Sequence, residues 1–431
     1  MTTWRGTIGS ARAIASLALV LTTYAGIFHL LDHYDWGEAF VRFACLAGLL
    51  ALTLATTPRA EAVPAGAARF ESVAAPLLAI VALNWGLLKS SSDLDLPPVV
   101  DIGQTTQQAA RMVLIEGRNP YQSRTIAVLG DDPSMWGFKY GPTMILGYAA
   151  SAYFPVNGIK YTSLACVAAT AAIVFLLGKG RGRAPGSMAT AWFCCALAFL
   201  PNRLWYELFR QGSNDILPVL LILGSILAVR GEFWGAAGLL AGLSLSAKLS
   251  PAAFYLALFI RRRPEPRFVA GVAAGLLPLV PFLAWDAGAL FRNVVLFHSN
   301  KSADSTSLYS ITPRELHPAF SVIQLAAIAL AVSWNFRVRV EYRSLVAWYL
   351  GLILVCEMSY REVHGNHLLW FMPFEALRIG WNRHAFLPNV ASLLSPTVRA
   401  PVPVQPAAEP SRWPGPSLDG LPAGSIEARS T

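Results

Sequence analysis

Charged residues are scarce in this sequence. They make up 14% of its 431 residues, whereas soluble domains carry roughly 25%. Short segments of alternating polar and apolar residues, which half-buried strands would need, are also missing. The chain has instead a series of apolar runs close to the ~20 residues with which a helix crosses a bilayer. The sequence therefore predicts an all-α polytopic membrane protein with about twelve transmembrane helices.

Cysteines are few, and none lies in a polar segment. This placement argues against an external disulfide framework and against a cysteine zinc site. The five cysteines are Cys45, Cys166, Cys194, Cys195 and Cys356. A small-residue cleavage motif is missing after the first apolar run, which Arg5 and Arg12 precede. We therefore expect that run to be a membrane anchor and not a removed signal peptide.

The net charge is +9, but the basic residues form short clusters between apolar runs. Such clusters report membrane topology, because basic loops tend to stay in the cytoplasm, and we expect no nucleic-acid partner. To keep the cluster Arg261, Arg262 and Arg263 inside, residues 140–177 must form one span preceded by a surface helix. The N-terminus and the tail are then cytoplasmic, and three polar segments face outward: residues 89–142, 286–318 and 359–367.

The apolar runs divide the chain into three regions. The predicted spans lie near residues 11–31, 39–56, 73–89, 158–177, 188–204, 213–229, 233–247, 250–260, 268–285, 319–334, 345–358 and 368–379. Two small-residue pairs, Gly238-x-x-x-Gly242 and Gly271-x-x-x-Gly275, fit close contacts between helices. We interpret residues 1–57 as an added pair of helices, 73–380 as the core, and the Pro-rich residues 383–431 as a disordered cytoplasmic tail.

The polar segment 89–142 is the most informative part of the chain. Six carboxylates lie in it: Asp93, Asp95, Asp101, Glu116, Asp131 and Asp132. Residues 103–117 predict an amphipathic helix at the membrane surface, with Ala109 and Met112 on its apolar side and Gln104 and Arg111 on the other. Asp101 stands at the start of this helix, where a carboxylate can cap free backbone N–H groups. Capping and a catalytic role are both open for Asp101 at this point.

Four short motifs, in order, resemble a known family. They are Asp101 followed by Gly117-Arg118-Asn119-Pro120-Tyr121, then Lys139-Tyr140-Gly141-Pro142, then Arg210-Gln211-Gly212-Ser213-Asn214, and finally Lys248-x-x-Pro251. This order is similar to that of bacterial GT-C glycosyltransferases of the polyprenol-phosphate-mannose-dependent α-mannosyltransferase type. The resemblance covers residues 73–379. It implies a GT-C-like core in the bacterial cytoplasmic membrane, a polyprenyl-phosphate sugar donor, and transfer of a hexose, mannose in that family, on the extracytoplasmic side.

The chemistry of such a transfer assigns roles to residues of this chain. Inverting transfer needs a carboxylate to take the proton of the acceptor hydroxyl; we expect Asp101 to be this base, with Asp95 and Asp93 as alternatives. The phosphate leaving group needs cations and hydrogen-bond donors. The candidates for binding the substrates are Lys139, Tyr140, Arg210, Gln211, Asn214, Lys248, Arg361, His364 and His367. The alternatives without a functional role are that Lys248 snorkels to the membrane interface and that residues 361–367 form a solvated turn.

We expect no cofactor and no metal. Asp93-x-Asp95 could hold Mg²⁺ or Mn²⁺, but a monophosphate donor needs a metal less than a diphosphate does, and the pair His364 and His367 offers too few ligands. The partners that follow are the sugar donor, a lipid or glycan acceptor, and membrane lipids. A transporter or flippase for a lipid-linked substrate is the main alternative, although such proteins often show inverted repeats, and we find none. An oligosaccharide polymerase or ligase is a third interpretation, for which a large later loop with arginines would be typical.

Overall fold

The computed structural model describes residues 65–94, 96, 98, 101–122, 137–154, 157–180, 185–260, 264–297, 309, 312–337, 341–359 and 367–382. Within these ranges the regular structure is helical and no strand occurs. The predicted spans near residues 11–31 and 39–56 and the predicted tail 383–431 lie outside the described residues.

Fourteen described α-helices follow one another along the chain. In order they are α1 (Ala65–Leu94), α2 (Asp101–Leu114), α3 (Pro142–Gly147), α4 (Gly158–Lys179), α5 (Pro185–Phe199), α6 (Asn202–Trp205), α7 (Ile216–Arg230), α8 (Trp234–Ala247), α9 (Leu249–Ala257), α10 (Pro266–Gly275), α11 (Leu279–Phe291), α12 (His317–Arg337), α13 (Tyr342–Ser359) and α14 (Leu368–Trp381). Short 3₁₀ turns cover Ala149–Tyr153 and Arg314–Leu316, and π-helical turns follow α6 and α11.

Three of the described helices are long and apolar enough to cross a membrane. They cover Gly158–Lys179, Leu279–Leu296 and Arg314–Trp334. Four shorter apolar helices accompany them in the described part: Ala75–Leu88, Ser187–Phe199, Ile216–Arg230 and Trp234–Ala247. These helices agree with the expected all-α membrane protein, because a bilayer core of about 30 Å selects apolar helices of this kind. The count of about twelve spans stays a prediction.

One predicted span is wrong in its boundaries. Residues 268–285 do not form a single helix, since α10 ends at Gly275 and α11 begins at Leu279. Pro278 and Pro281 have no backbone N–H, so two of the hydrogen bonds that would join the helices are missing. Helical structure then runs on to Leu296, and the outer segment expected to begin at residue 286 is therefore partly helical.

Residues 140–177 contain one long helix, as the topology argument required. Before α4 the chain forms only α3, with six residues, and a 3₁₀ turn of five residues. Neither can span a bilayer, because a spanning helix needs about 20 residues. The expected surface helix is therefore short, and protein covers it: Pro142, Thr143, Met144 and Ile145 are buried and α3 packs against α8 and α2.

The amphipathic helix expected at residues 103–117 is present as α2. Ala109, Ala110 and Met112 are buried, and Arg111 is exposed. Its apolar side packs against the 3₁₀ turn Ala149–Tyr153 and against α3. In the described structure that side therefore faces protein.

The two small-residue pairs do mark a close helix contact, between α8 and α10. A Cβ atom added to Gly238 would lie 2.0 Å from the carbonyl oxygen of Phe268, and one added to Gly275 would lie 2.4 Å from that of Leu239. Only glycine allows the backbones to approach this closely. The contact predicted from the sequence is confirmed.

Arginine and aromatic side chains gather at one end of the bundle. Arg230, the last residue of α7, donates to the carbonyl oxygen of Gly180 and lies 5.7 Å from the ring centre of Tyr342. Arg343 lies 5.4 Å from the ring centre of Trp381. This end is formed by the last residues of α4, α7 and α14 and by the first residues of α13. The candidate site lies at the other end of these helices.

Candidate active site

Four segments meet where α7 and α14 begin and α8 ends. They are residues 139–141, residues 210–215, Lys248 and His367, which immediately precedes α14. The backbone N–H of Gly141 donates to the carbonyl oxygen of Ala247 at 2.9 Å, and a Cβ atom at Gly141 would lie 1.9 Å from the carbonyl oxygen of Ser246. The absence of a side chain at Gly141 therefore lets residues 139–141 lie directly on the end of α8.

Lys248 is at the centre of this region. It has extended backbone (φ −151°, ψ 125°) between α8 and α9, so its side chain leaves the helical path. Its ammonium nitrogen lies 2.5 Å from Oδ1 of Asp215, and the side chain is 10% exposed. The same nitrogen lies 5.0 Å from the ring centres of Tyr140 and Trp370, within the range of cation–π attraction. Lys248 is therefore held inside the protein, and the snorkelling interpretation does not fit it.

Asp215 is the partner that sequence reasoning missed. It is fully buried immediately before α7. Besides Lys248, the indole Nε1 of Trp370 donates to its Oδ1 at 2.8 Å, and the hydroxyl of Ser213 donates to its Oδ2 at 2.9 Å. A buried carboxylate needs such donors to offset the loss of water. The signal available in the sequence was a carboxylate at the start of an apolar helix, which resembles an ordinary helix cap.

A second buried pair adjoins the first. Nδ1 of His367 lies 2.9 Å from Oε2 of Glu357, and both side chains are less than a tenth exposed. A carboxylate only accepts hydrogen bonds, so Nδ1 of His367 carries a proton in this contact. The ring of His367 stacks on that of Trp370 at 4.0 Å between centres. Glu357 and Trp370 were not singled out from the sequence, because both lie within apolar runs.

The first predicted base, Asp101, is the first residue of α2, and α2 is fixed to this region. The amide of Asn214 donates to the hydroxyl of Thr106 at 2.7 Å. A Cβ atom at Gly103 would lie 2.5 Å from the carbonyl oxygen of Gly212, whose own φ of +77° suits glycine. The residues just before Asp215 therefore contact α2, so that Asp215 and the start of α2 lie close together.

The segment that precedes α2 is also anchored. Lys160, near the start of α4, is fully buried and donates to the carbonyl oxygens of Asp93 and Leu96. The amide of Gln104 donates to the carbonyl oxygen of Pro98 at 2.9 Å. These contacts tie the end of α1, where the alternative base Asp93 lies, to α4, and they tie Pro98 to α2. Asp95 lies outside the described residues.

The remaining candidates are more dispersed. Lys139 is mostly buried, with its ammonium 5.1 Å from the ring centre of Phe297. Arg210 is partly exposed, and the amide of Gln211 donates to the hydroxyl of Tyr206 at 2.9 Å. The structure therefore brings together Tyr140, Lys248 and His367 around Trp370, with Asn214 beside Asp215. Two further candidates, Arg361 and His364, lie outside the described residues.

The motif Asn119-Pro120-Tyr121 joins the outer segment to this region. Oδ1 of Asn119 accepts the backbone N–H of Tyr121 at 2.9 Å, and the hydroxyl of Tyr121 donates to the carbonyl oxygen of Tyr140 at 2.8 Å. The amide of Asn293 donates to the carbonyl oxygen of Tyr121 at 2.9 Å. Burial raises the pKa of Tyr121 well above its ordinary value, so its hydroxyl keeps its proton. We assign these residues a structural role.

Metal ligands are not grouped in the described residues. Among them, no set of three or more histidine, cysteine, aspartate or glutamate side chains could hold a metal ion. Independence from metals stays a prediction.

The region around Lys248 falls within a recognised protein family. The model of glycosyltransferase family 87 matches residues 138–359, just over half of the chain. The chain belongs to glycosyltransferase family 87. Comparison with curated proteins and with solved structures found no match in either.

Membership of glycosyltransferase family 87 makes sugar transfer the activity, and it does not favour the transporter or flippase interpretation. The matched residues include Tyr140, Asp215, Lys248 and Glu357. They do not include Asp101, which precedes the matched region. The family membership thus supports a membrane glycosyltransferase and leaves the donor, the acceptor and the base to be proposed.

Proposed function

We propose that this protein transfers a hexose, mannose by its resemblance, from a polyprenyl-phosphate donor to a lipid or glycan acceptor, with inversion at the anomeric carbon. The observation that carries this proposal is the ammonium group of Lys248. It is nine-tenths buried at the end of α8 and makes one hydrogen bond, to Asp215, within the described residues. An ammonium has three N–H donors, so Lys248 can bind an anionic oxygen while it also binds Asp215.

The leaving group of this reaction is a phosphate, whose charge must be neutralised as the bond to the sugar breaks. A cation in a water-poor site stabilises such charge far better than one in water. Lys248 is a cation of this kind, and the neighbouring His367 adds a second donor only when both of its ring nitrogens carry protons. The buried aromatic rings of Tyr140 and Trp370 flank the ammonium of Lys248 and shield it from water.

The acceptor hydroxyl must lose its proton as it attacks the sugar. We propose Asp101 as the base, because it opens α2 and α2 is bound to residues 210–215 beside the Lys248 region. The base and the phosphate site then belong to two segments that contact each other through Thr106 and Asn214. Asp93 and Asp95 are the alternatives.

We propose that the site faces the extracytoplasmic side of the bacterial cytoplasmic membrane. Arg230 and Arg343 gather at the opposite end of α7 and α13, and basic residues favour the cytoplasmic end of membrane helices. Helix α7 has 15 residues and is therefore about 22 Å long, so its two ends lie near opposite sides of the bilayer core. A polyprenyl-phosphate sugar would reach Lys248 from the outer leaflet.

A membrane assay with radiolabelled polyprenyl-phosphate hexoses tests the proposal. The intact protein should transfer label, and Asp101→Asn should lower the rate by roughly 10²–10⁴, the usual effect of losing a general base. Asparagine is itself a good helix cap, so the Asp101→Asn protein should be as abundant and as thermally stable as the unchanged protein. Both results together distinguish a base from a cap.

Asp93→Asn and Asp95→Asn are the matched controls and should transfer normally. If Asp95→Asn is inactive while Asp101→Asn is active, the base is Asp95. If all three variants transfer at the unchanged rate, the proposed mechanism should be abandoned.

A further inference from the structure

We propose that Asp215 is a positioning residue, which fixes the ammonium of Lys248 and the indole of Trp370 in the arrangement that receives the donor phosphate. This inference rests on the proposed function. It assigns a role to a residue that no motif in the sequence identified as part of the site.

The contacts of Asp215 define what it can do. The residue is fully buried, and both carboxylate oxygens accept hydrogen bonds from protein groups: Oδ1 from Lys248 and Trp370, Oδ2 from the hydroxyl of Ser213. An oxygen that is enclosed in this way cannot also take a proton from a substrate hydroxyl. Asp215 therefore acts through Lys248 and Trp370.

A lysine side chain needs such a partner to hold one position. Its four-carbon stem is flexible and loses rotamer freedom when the ammonium is held in one place. The carboxylate of Asp215 fixes one N–H of Lys248, and the rings of Tyr140 and Trp370 flank the ammonium at 5.0 Å. The other two N–H bonds then have fixed directions before any ligand arrives, which lowers the entropy lost on binding.

Contacts on more than one side hold the side chain of Trp370 in place beside Lys248. Its indole N–H donates to Asp215, and its ring stacks on His367 with an angle of 19° between the planes. His367 is in turn held by Glu357. Removing the Asp215 charge should therefore disturb Lys248 more than the aromatic rings around it.

The carboxylate of Asp215 also determines the net charge of the site. Asp215 and Lys248 together are neutral, so replacing the carboxylate by an amide leaves one uncompensated positive charge. Binding of an anionic donor should not weaken, whereas an ammonium out of position should stabilise the departing phosphate less well. Misplacement of a group by about 1 Å can reduce a rate by ~10².

Steady-state kinetics of Asp215→Asn test these expectations. The kcat should fall roughly 10- to 100-fold, with a donor KM that stays the same or decreases. A purely structural role would lower only the amount of folded protein and leave kcat and KM per folded molecule unchanged. That result would overturn the proposal.

A double-mutant cycle tests whether Asp215 acts through Lys248. Kinetics are compared for Asp215→Asn, Lys248→Met and the double variant. The double variant should be no less active than Lys248→Met, because the ammonium that the carboxylate positions is gone and the stack on His367 still holds Trp370. If the two losses multiply, Asp215 has an independent role and the inference is wrong.

Glu375→Gln is the matched control for loss of a buried carboxylate. Glu375 is fully buried and pairs with Arg378 within α14, eight residues beyond His367 along the chain. Per folded molecule, this variant should keep the unchanged kcat and donor KM. A fall in kcat equal to that of Asp215→Asn would show that any buried unpaired charge has this effect, and it would overturn the assignment.

A readout without turnover separates this inference from the proposed function. The indole N–H resonance of Trp370, assigned from its loss in Trp370→Phe, is followed by NMR while polyprenyl phosphate is added. It should shift in the unchanged protein, stay in place in Lys248→Met, and shift by a different amount in Asp215→Asn, where phosphate still binds but the ammonium is out of position.

If the shifts follow this pattern but no polyprenyl-phosphate hexose is used as donor, the positioning of a phosphate site stands and the proposed sugar transfer fails. If sugar transfer occurs but the resonance responds equally in all three proteins, the role of Asp215 is refuted and the proposed function stands.

Discussion

Buried charges are what distinguish individual residues in this apolar protein. In the described part three buried pairs stand out: Lys248 with Asp215, His367 with Glu357, and Arg378 with Glu375. A buried ion pair is weak evidence for stability, because desolvation of the two charges offsets most of their attraction. The first two pairs both contact Trp370, through Asp215 and through His367. We therefore attribute those two to the site and the third, within α14, to the scaffold.

Replacing Lys248 should affect stability as well as activity. Lys248→Met leaves the carboxylate of Asp215 buried without its cation, and breaking one side of a buried pair costs about 3–5 kcal/mol. Thermal unfolding of the detergent-solubilised protein should therefore begin at a clearly lower temperature. Adding Asp215→Asn should restore most of that stability, since no unpaired charge remains, but should not restore sugar transfer. Equal stability of the single and the double variant would mean that the pair is not formed.

The sequence identified part of this site and missed the rest for a physical reason. Lys248 and His367 were recognisable because a charge beside an apolar run is costly and usually has a role. Asp215, Glu357 and Trp370 become visible only through contacts with residues far away in the chain, such as the 33 positions between Asp215 and Lys248. No local pattern encodes such pairs, so only the folded arrangement reveals them.

At the scale of elements, hydropathy predicted where helices lie but not where they break. The described helices α4, α7, α8, α12, α13 and α14 agree with predicted spans within a few residues. The run 268–285 was read as one helix because its hydropathy is continuous. Its break depends on backbone N–H groups that Pro278 and Pro281 lack, a feature that averaged hydropathy does not record.

The contact between α8 and α10 allows a matched test on one helix. Gly238→Ala would place a methyl group 2.0 Å from the carbonyl oxygen of Phe268, whereas the nearest atom to a methyl group at Gly235 is 3.9 Å away. Gly238→Ala should force the helices apart and lower the midpoint of thermal unfolding by several degrees. Gly235→Ala should be neutral or slightly stabilising, because alanine favours helix by up to ~1 kcal/mol over glycine. If the two variants unfold at the same temperature, the helices are not packed through this face.

The whole molecule has two chemically different ends. At one end Lys248, Asp215, His367 and Glu357 form a buried polar region. At the other end Arg230 and the neighbouring basic and aromatic side chains bind helix ends. Because family membership makes the protein a glycosyltransferase, the orientation of these ends decides which leaflet would supply the proposed polyprenyl-phosphate donor. The sequence alone predicted the orientation from arginine clusters, and the structure adds that Arg230 and Asp215 lie at opposite ends of α7.

Cysteine labelling can determine this orientation. The described native cysteines are all buried, so a Cys45→Ser background should react little with a membrane-impermeant maleimide. In that background Ser123→Cys should be labelled from outside intact cells, because the segment 89–142 is predicted to be external. Ser187→Cys should react only after the membrane is permeabilised, because it lies near the end of the bundle where Arg230 and Gly180 meet. Both substitutions change one atom, so they serve as controls for each other. The reverse labelling pattern would place Lys248 on the cytoplasmic side and would refute transfer on the outer face.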